Sequence, residues 1–184
     1  MKKFIKEKVR TLLTEVEGVK YKFGCVMLYF DIPKDVWDKA QALIDDEDVS
    51  NVDDADGRET NPHVTLLYGL HADIPDKDIE EAIGNMSSPE VTLKDITTFN
   101  NKDFDVVKFD VEGEDLFKMN KALTKFPHTT DYPDYHPHTT IAYVKPGEGK
   151  KYHQTLDEPI VVTPNKVVYS KPDGTKKEYP FDSK

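Results

Sequence analysis

Cysteine and arginine are scarce in this chain of 184 residues, and long apolar runs are absent. Cys25 is the only cysteine, so no disulfide can close within the chain. It sits in the apolar run CVMLYF, which marks a buried structural thiol rather than a reactive one and fits a reducing compartment. Arg10 and Arg58 are the only arginines, and lysine supplies the rest of the positive charge. No stretch approaches the eighteen or so apolar residues of a membrane-spanning helix. The basic start MKKFIKEKVRTLL is not followed by the apolar core of a secretory signal. The sequence is therefore expected to be cytoplasmic, in the host cytoplasm if its source is viral.

Acidic residues number 35 against 25 lysines and arginines, and the net charge is -10. A field of that sign weakens non-specific binding to long nucleic acid. It leaves room for a small anionic ligand, because a local cluster of donors can outweigh the global charge. No membrane contact and no obligate protein partner is expected. The length suits one domain, residues 1–184, and chains of this size bury roughly 70% of their unfolded surface. Such a fold needs no metal or disulfide to hold it.

Lys3 to Glu15 has apolar residues at three- and four-residue steps, which predicts an added N-terminal helix within residues 1–18. FGCVMLYFDI reads as a buried strand. Pro33 and Asp35 open an amphipathic helix with Val36, Trp37, Ala40, Leu43 and Ile44 on its apolar side. The acidic stretch from Asp45 to Glu59 is a loop. IPDKDIEEAIGNM and EDLFKMNKALTKF predict two further helices. EVTLKDITTFNN and FDVVKFDVEG predict a hairpin turning near Asn100 and Asn101. PIVVTPNKVVYS and TKKEYPF close the chain as strands, with Pro164 calling for an edge or a bulge. The order predicts an α+β fold with internal pseudo-symmetry.

That symmetry shows in one eight-residue pattern that occurs twice. PHVTLLYG begins at Pro62 and PHTTIAYV at Pro137. In a strand, alternate side chains share a face, so His63 lies beside Thr65 and His138 beside Thr140. If two lobes pack as a pseudo-dimer, two imidazoles and two hydroxyls meet in one cleft. This set suits phosphodiester cleavage. One neutral imidazole takes a proton, the other gives one to the leaving oxygen, and the hydroxyls donate to oxygens where negative charge grows. A single H-x-T is commonplace in strands; two copies with matching Pro and Tyr point to a site.

The motifs HVTL (His63 to Leu66) and HTTI (His138 to Ile141), 75 residues apart, resemble the signature of the 2H phosphoesterase superfamily. The resemblance covers roughly Lys22 to Phe181. It implies a two-lobed, pseudo-symmetric α+β fold with antiparallel sheets around a central cleft. It implies His63 and His138 as general base and acid in either order, with Thr65 and Thr140 on the phosphate. No cofactor and no metal are implied. Family members include RNA 2',3'-cyclic phosphodiesterases, enzymes historically named 2'-5' RNA ligases, and enzymes of small cyclic nucleotides. Similar viral members cleave the cyclic oligonucleotides that bacteria use as antiviral signals, and GRETNPHVTLLYGL resembles the phage-type branch. The implied partner is a small cyclic nucleotide or a short RNA end.

Residues outside the motifs leave choices open. Arg58 is a candidate phosphate contact or a surface ion-pair partner. Glu59 either orients a histidine or is solvated. His136, Tyr132 and Tyr135, in the loop before the second motif, either stack on a base or ribose or form plain surface. Lys145 could bring positive charge to the cleft. Tyr29 can pack or stack on a base. Tyr68 and Tyr143 stand five residues after each histidine, and strand parity places them on the opposite face unless the strands bulge. HPH at His136 lacks the spacing of a closed metal site, and PGEGK is not a phosphate-binding P-loop. Two functions compete: a metal-independent phosphodiesterase, and a non-catalytic protein of the same fold that sequesters a cyclic nucleotide. A purely structural domain would have a blocked cleft, and true RNA ligation fits least.

Overall fold

The structure, a computed structural model, describes residues 21–50 and 57–181. The expected N-terminal helix and part of the acidic loop fall outside them. The elements are β1 (Gly24–Phe30), α1 (Lys34–Ala42), β2 (His63–Leu70), α2 (Asp76–Gly84), β3 (Val91–Asn100), β4 (Asp105–Glu112), α3 (Glu114–Leu123), β5 (His138–Val144), β6 (Ile160–Val162), β7 (Pro164–Ser170) and β8 (Lys176–Pro180). They build two antiparallel four-stranded sheets, in the orders β2-β1-β7-β8 and β5-β4-β3-β6. The motif strands β2 and β5 are the edge strands that meet where the lobes touch.

Period-two alternation sets the layers. Val26, Leu28 and Phe30 of β1 are buried, while Cys25, Met27 and Tyr29 between them are only partly so. The buried face joins one apolar cluster that includes Ile79, Ile83, Leu116, Leu123 and Ile141. Each fully buried side chain of this kind contributes roughly 2 kcal/mol, so many such residues, shared between both sheets, tie the lobes into one core.

Both lobes exchange their helices. In the chain α1 follows β1 of the first sheet, yet it packs on β5 of the second; α3 follows β4 of the second sheet, yet it packs on β2 of the first. Side-chain amides fix both crossings. Gln41 of α1 donates to the Ile141 carbonyl at 3.0 Å, and Asn120 of α3 to the Leu66 carbonyl at 2.7 Å. The loops before each motif cross over as well. The backbone around Gly57–Glu59 bonds to β5, and Thr129 N–H bonds to the Gly69 carbonyl of β2. Gly69 has φ +106°, and a Cβ there would stand 1.9 Å from the Thr129 carbonyl oxygen, so only glycine admits this approach.

The strand expected over PIVVTPNKVVYS is two. Val162 ends β6 in the second sheet and Pro164 begins β7 in the first. Proline is tolerated at a strand's first residue, and the chain uses that point to change sheets.

Candidate active site

His63 and His138 open β2 and β5, and their Nδ1 contacts match. The Nδ1 of His63 faces the Asn61 carbonyl at 2.8 Å; the Nδ1 of His138 faces the His136 carbonyl at 2.8 Å. A carbonyl only accepts, so each Nδ1 carries a proton and donates it. Each Nε2 is thereby left to exchange a proton with whatever enters the cleft. Glu59 builds the first of these turns, since its carboxylate accepts from the Thr60 and Asn61 N–H groups at 3.0 Å. It shapes the support of His63 without touching the ring.

Aromatic rings fix the two imidazoles differently. Tyr29, directly across the ladder from His63, stacks on it with centroids 5.2 Å apart. Phe99 meets His138 edge-on at 4.9 Å. Burial pushes the pKa of His138 below its ordinary value. The His136 carbonyl opposes that shift, neighbouring Lys108 and His63 add to it, and Asp110 opposes it. The strands that carry the two imidazoles, β2 and β5, are in contact where the lobes meet.

Register overturns the parity expected for the tyrosines. On β2, Met27 pairs with Thr65 but Val26 pairs with Leu67, so Leu66 is an extra residue. On β5, Lys108 pairs with Thr140 but Val107 pairs with Ala142, so Ile141 is extra. Each motif strand bulges three residues after its histidine, and a bulge flips every later side chain to the other face. Tyr68, opposite Cys25, and Tyr143, opposite Val106, thus share the face of the histidines and threonines. Tyr143 stands beside Thr140, and Cys25 beside Thr65, and each threonine hydroxyl offsets part of the rise that burial imposes on its neighbour's pKa. Burial raises the pKa of Tyr143 and pushes Tyr68 up to about 12, so both are uncharged hydroxyls at neutral pH. Burial also pushes the Cys25 thiol up to about 12, as an unreactive thiol requires.

Three candidates sit elsewhere than expected. The Arg58 guanidinium donates to the carbonyls of Gln41 and Ile44 at 2.6 and 2.7 Å and to Asp46 at 2.6 Å. It satisfies carbonyls at the end of α1 and is not directed at a substrate phosphate. Lys145 lies seven residues beyond His138 on an extended strand, roughly 20 Å away at about 3.3 Å per residue, and its backbone N–H bonds to Asp48. Tyr135 packs its ring against Phe117 at 5.5 Å and against the core. His136 and Tyr132 remain exposed on the loop before β5, Tyr132 by 58%.

Sequence reasoning missed a buried polar group beside the second motif. Lys108, with a side chain only 4% exposed, ion-pairs with Asp110 and donates to Thr97 Oγ1 at 2.8 Å, and Thr97 donates to Asp110 at 3.0 Å. The signal was present in VVKFDV: alternation puts Lys108 and Asp110 together on the face opposite Val107 and Phe109. Among the described residues, no group of three or more His, Cys, Asp or Glu side chains is placed to hold a metal ion.

Two antiparallel sheets, exchanged helices and a doubled histidine strand define the two-lobed 2H phosphoesterase fold. The chain belongs to the 2'-5' RNA ligase superfamily, whose family model matches residues 32–175. Among solved structures it is similar to Usb1 of Kluyveromyces marxianus, with a TM-score of 0.56 and 12% identity over 87% of this chain and 98% of that one. The same protein with uridine monophosphate gives a TM-score of 0.51 at 12% identity, with the same coverage. No curated protein matches the chain in sequence.

Proposed function

We propose that the protein is a phosphodiesterase that hydrolyses a nucleoside 2',3'-cyclic phosphate or a small cyclic oligonucleotide by proton transfer between its two motif histidines, with no metal. One observation carries this reading. Two imidazoles on the two motif strands are each held at Nδ1 by the carbonyl two residues before it, which leaves the Nε2 of each to take or give a proton. A binding protein has no need of two matched proton carriers.

Burial keeps His138 neutral near pH 7, so it is the group that takes a proton. Its Nε2 accepts the proton of an attacking water whose oxygen bonds to phosphorus. The P–O3' bond breaks and the leaving O3' receives a proton from His63 Nε2, leaving a 2'-phosphate. Thr65 and Thr140 donate to the non-bridging oxygens, where charge accumulates. The uridine monophosphate held by the fold relative supports a nucleotide as ligand. Net charge -10 favours a small substrate over long RNA. Destruction of a cyclic oligonucleotide defence signal in a host cytoplasm is the biological role that fits a phage-type member.

The test is incubation of the purified protein, in EDTA, with nucleoside 2',3'-cyclic phosphates and with a panel of cyclic di- and trinucleotides, products being read by mass spectrometry. Cleavage that His63→Ala and His138→Ala each abolish supports the reading, and the group cleaved assigns the substrate class. Intact nucleotide recovered from a tight complex would replace hydrolysis with sequestration.

A further inference from the structure

The two motifs are alike, but the residues across the ladder from them are not. Thr65 faces Met27 on β1, and Thr140 faces Lys108 on β4. His63 faces Tyr29, and His138 faces Asp110. One half of a symmetric site is thus backed by thioether and phenol, and the other by a buried ion pair.

Resting on the phosphodiesterase reading, we propose that Lys108 is a positioning residue that makes the two halves inequivalent: its fixed charge behind His138 and Thr140 commits that half to accepting the proton and to holding the phosphate's negative charge.

The Lys108 ammonium is enclosed and committed to its own neighbours. One N–H meets Thr97 Oγ1, another meets Asp110, and the group lies over the Phe99 ring at 4.2 Å. It acts by field and by geometry rather than by contact. A lysine this enclosed stays charged only when paired, and Asp110, itself bound by Thr97, is the pair. Phe99 touches both Lys108 and His138, so the cation also fixes the ring that holds the imidazole. The groups facing His138 are Lys108 and Asp110 from β4, Phe99 from β3, His63 from β2 and the His136 carbonyl from the preceding loop. The corresponding cation of the first half, Lys166, sits a strand further out on β7, 5.8 Å from the Tyr29 ring and ion-paired with Glu178 at 2.9 Å. It is a third exposed and correspondingly screened.

The experiment is an NMR titration of the histidine ring signals in the full chain, with His138 assigned from His138→Asn. Lys108→Gln keeps length and hydrogen bonding and removes the charge; Lys108→Met copies the first half; Thr97→Val cuts a hydrogen bond and keeps the charge. The expected result is a His138 midpoint raised by about half a pH unit or more in both Lys108 variants, and little changed in Thr97→Val. The acidic limb of kcat/KM moves up with it. A His138 midpoint in folded Lys108→Gln equal to that of the parent would overturn the proposal, as would an equal shift in Thr97→Val. Titration needs no turnover, so absence of hydrolysis in the parent protein would remove the phosphodiesterase reading and leave this result standing on its own.

Discussion

The side-chain amide of Asn120 donates to the carbonyl of Leu66 from a helix that follows the other sheet in the chain. Leu66 is the extra residue of the β2 bulge, so its carbonyl cannot be satisfied by the regular ladder. Gln41 donates likewise to Ile141, the extra residue of β5, whose carbonyl also accepts from the Glu59 N–H at 2.9 Å. A helix exchanged between lobes thus supports the irregularity that shapes each half of the site.

Removal of that support should therefore cost stability. Asn120→Ala leaves the carbonyl of a fully buried residue without its donor, and a loss of about 1–3 kcal/mol is expected from urea unfolding. Gln41→Ala acts in the same direction in the other lobe, and by less, because the Glu59 N–H still donates to the Ile141 carbonyl. A variant as stable as the parent would mean that water replaces the amide.

Tyr143→Phe removes the hydroxyl that stands beside Thr140. The expected loss in kcat/KM is about tenfold, the value of one neutral hydrogen bond, with the melting temperature little changed. Cys25→Ala tests the corresponding partner of Thr65. Steady-state kinetics on whichever cyclic substrate is cleaved gives both answers.

The lowered pKa of His138 makes stability depend on pH. Between its lowered folded value and the ordinary 6.5, the unfolded chain binds the proton that the folded protein refuses. Unfolding free energy contributed by this group is therefore complete above about pH 6.5 and is lost as pH falls through the folded pKa. Urea unfolding of the parent and of His138→Asn should diverge less at pH 5 than at pH 7.5. A difference independent of pH would show that the ring is not held neutral.

Arg58→Met is expected to lower stability by about 2 kcal/mol, because three acceptors at the end of α1 lose a charged donor. KM should be unchanged. A raised KM in a variant of normal stability would restore Arg58 as a phosphate contact.

The legible part of the site was the part written in local pattern. His63 with Thr65 and His138 with Thr140 follow from a period of two, which two or three residues of strand suffice to impose. Lys108 and Asp110 were equally patterned. Nothing near them in sequence tied them to His138, because β4 and β5 are joined through α3 and a long loop. Tyr68 and Tyr143 were misplaced by the same rule that placed the histidines, since alternation holds only up to the bulge. Arg58 offered a guanidinium to phosphate on paper. The carbonyls it meets belong to α1 and to the turn just after it, seventeen and fourteen residues earlier.

The doubled motif, the amphipathic helices, the alternating strands and the negative charge can all be read over a few neighbouring residues. The exchange of helices between lobes, the paired bulges, the sheet change at Pro164 and the unequal backing of two equal motifs arise in the assembled fold. Each of these depends on which strand lies beside which, and that is settled by the burial of one shared core rather than by any local preference.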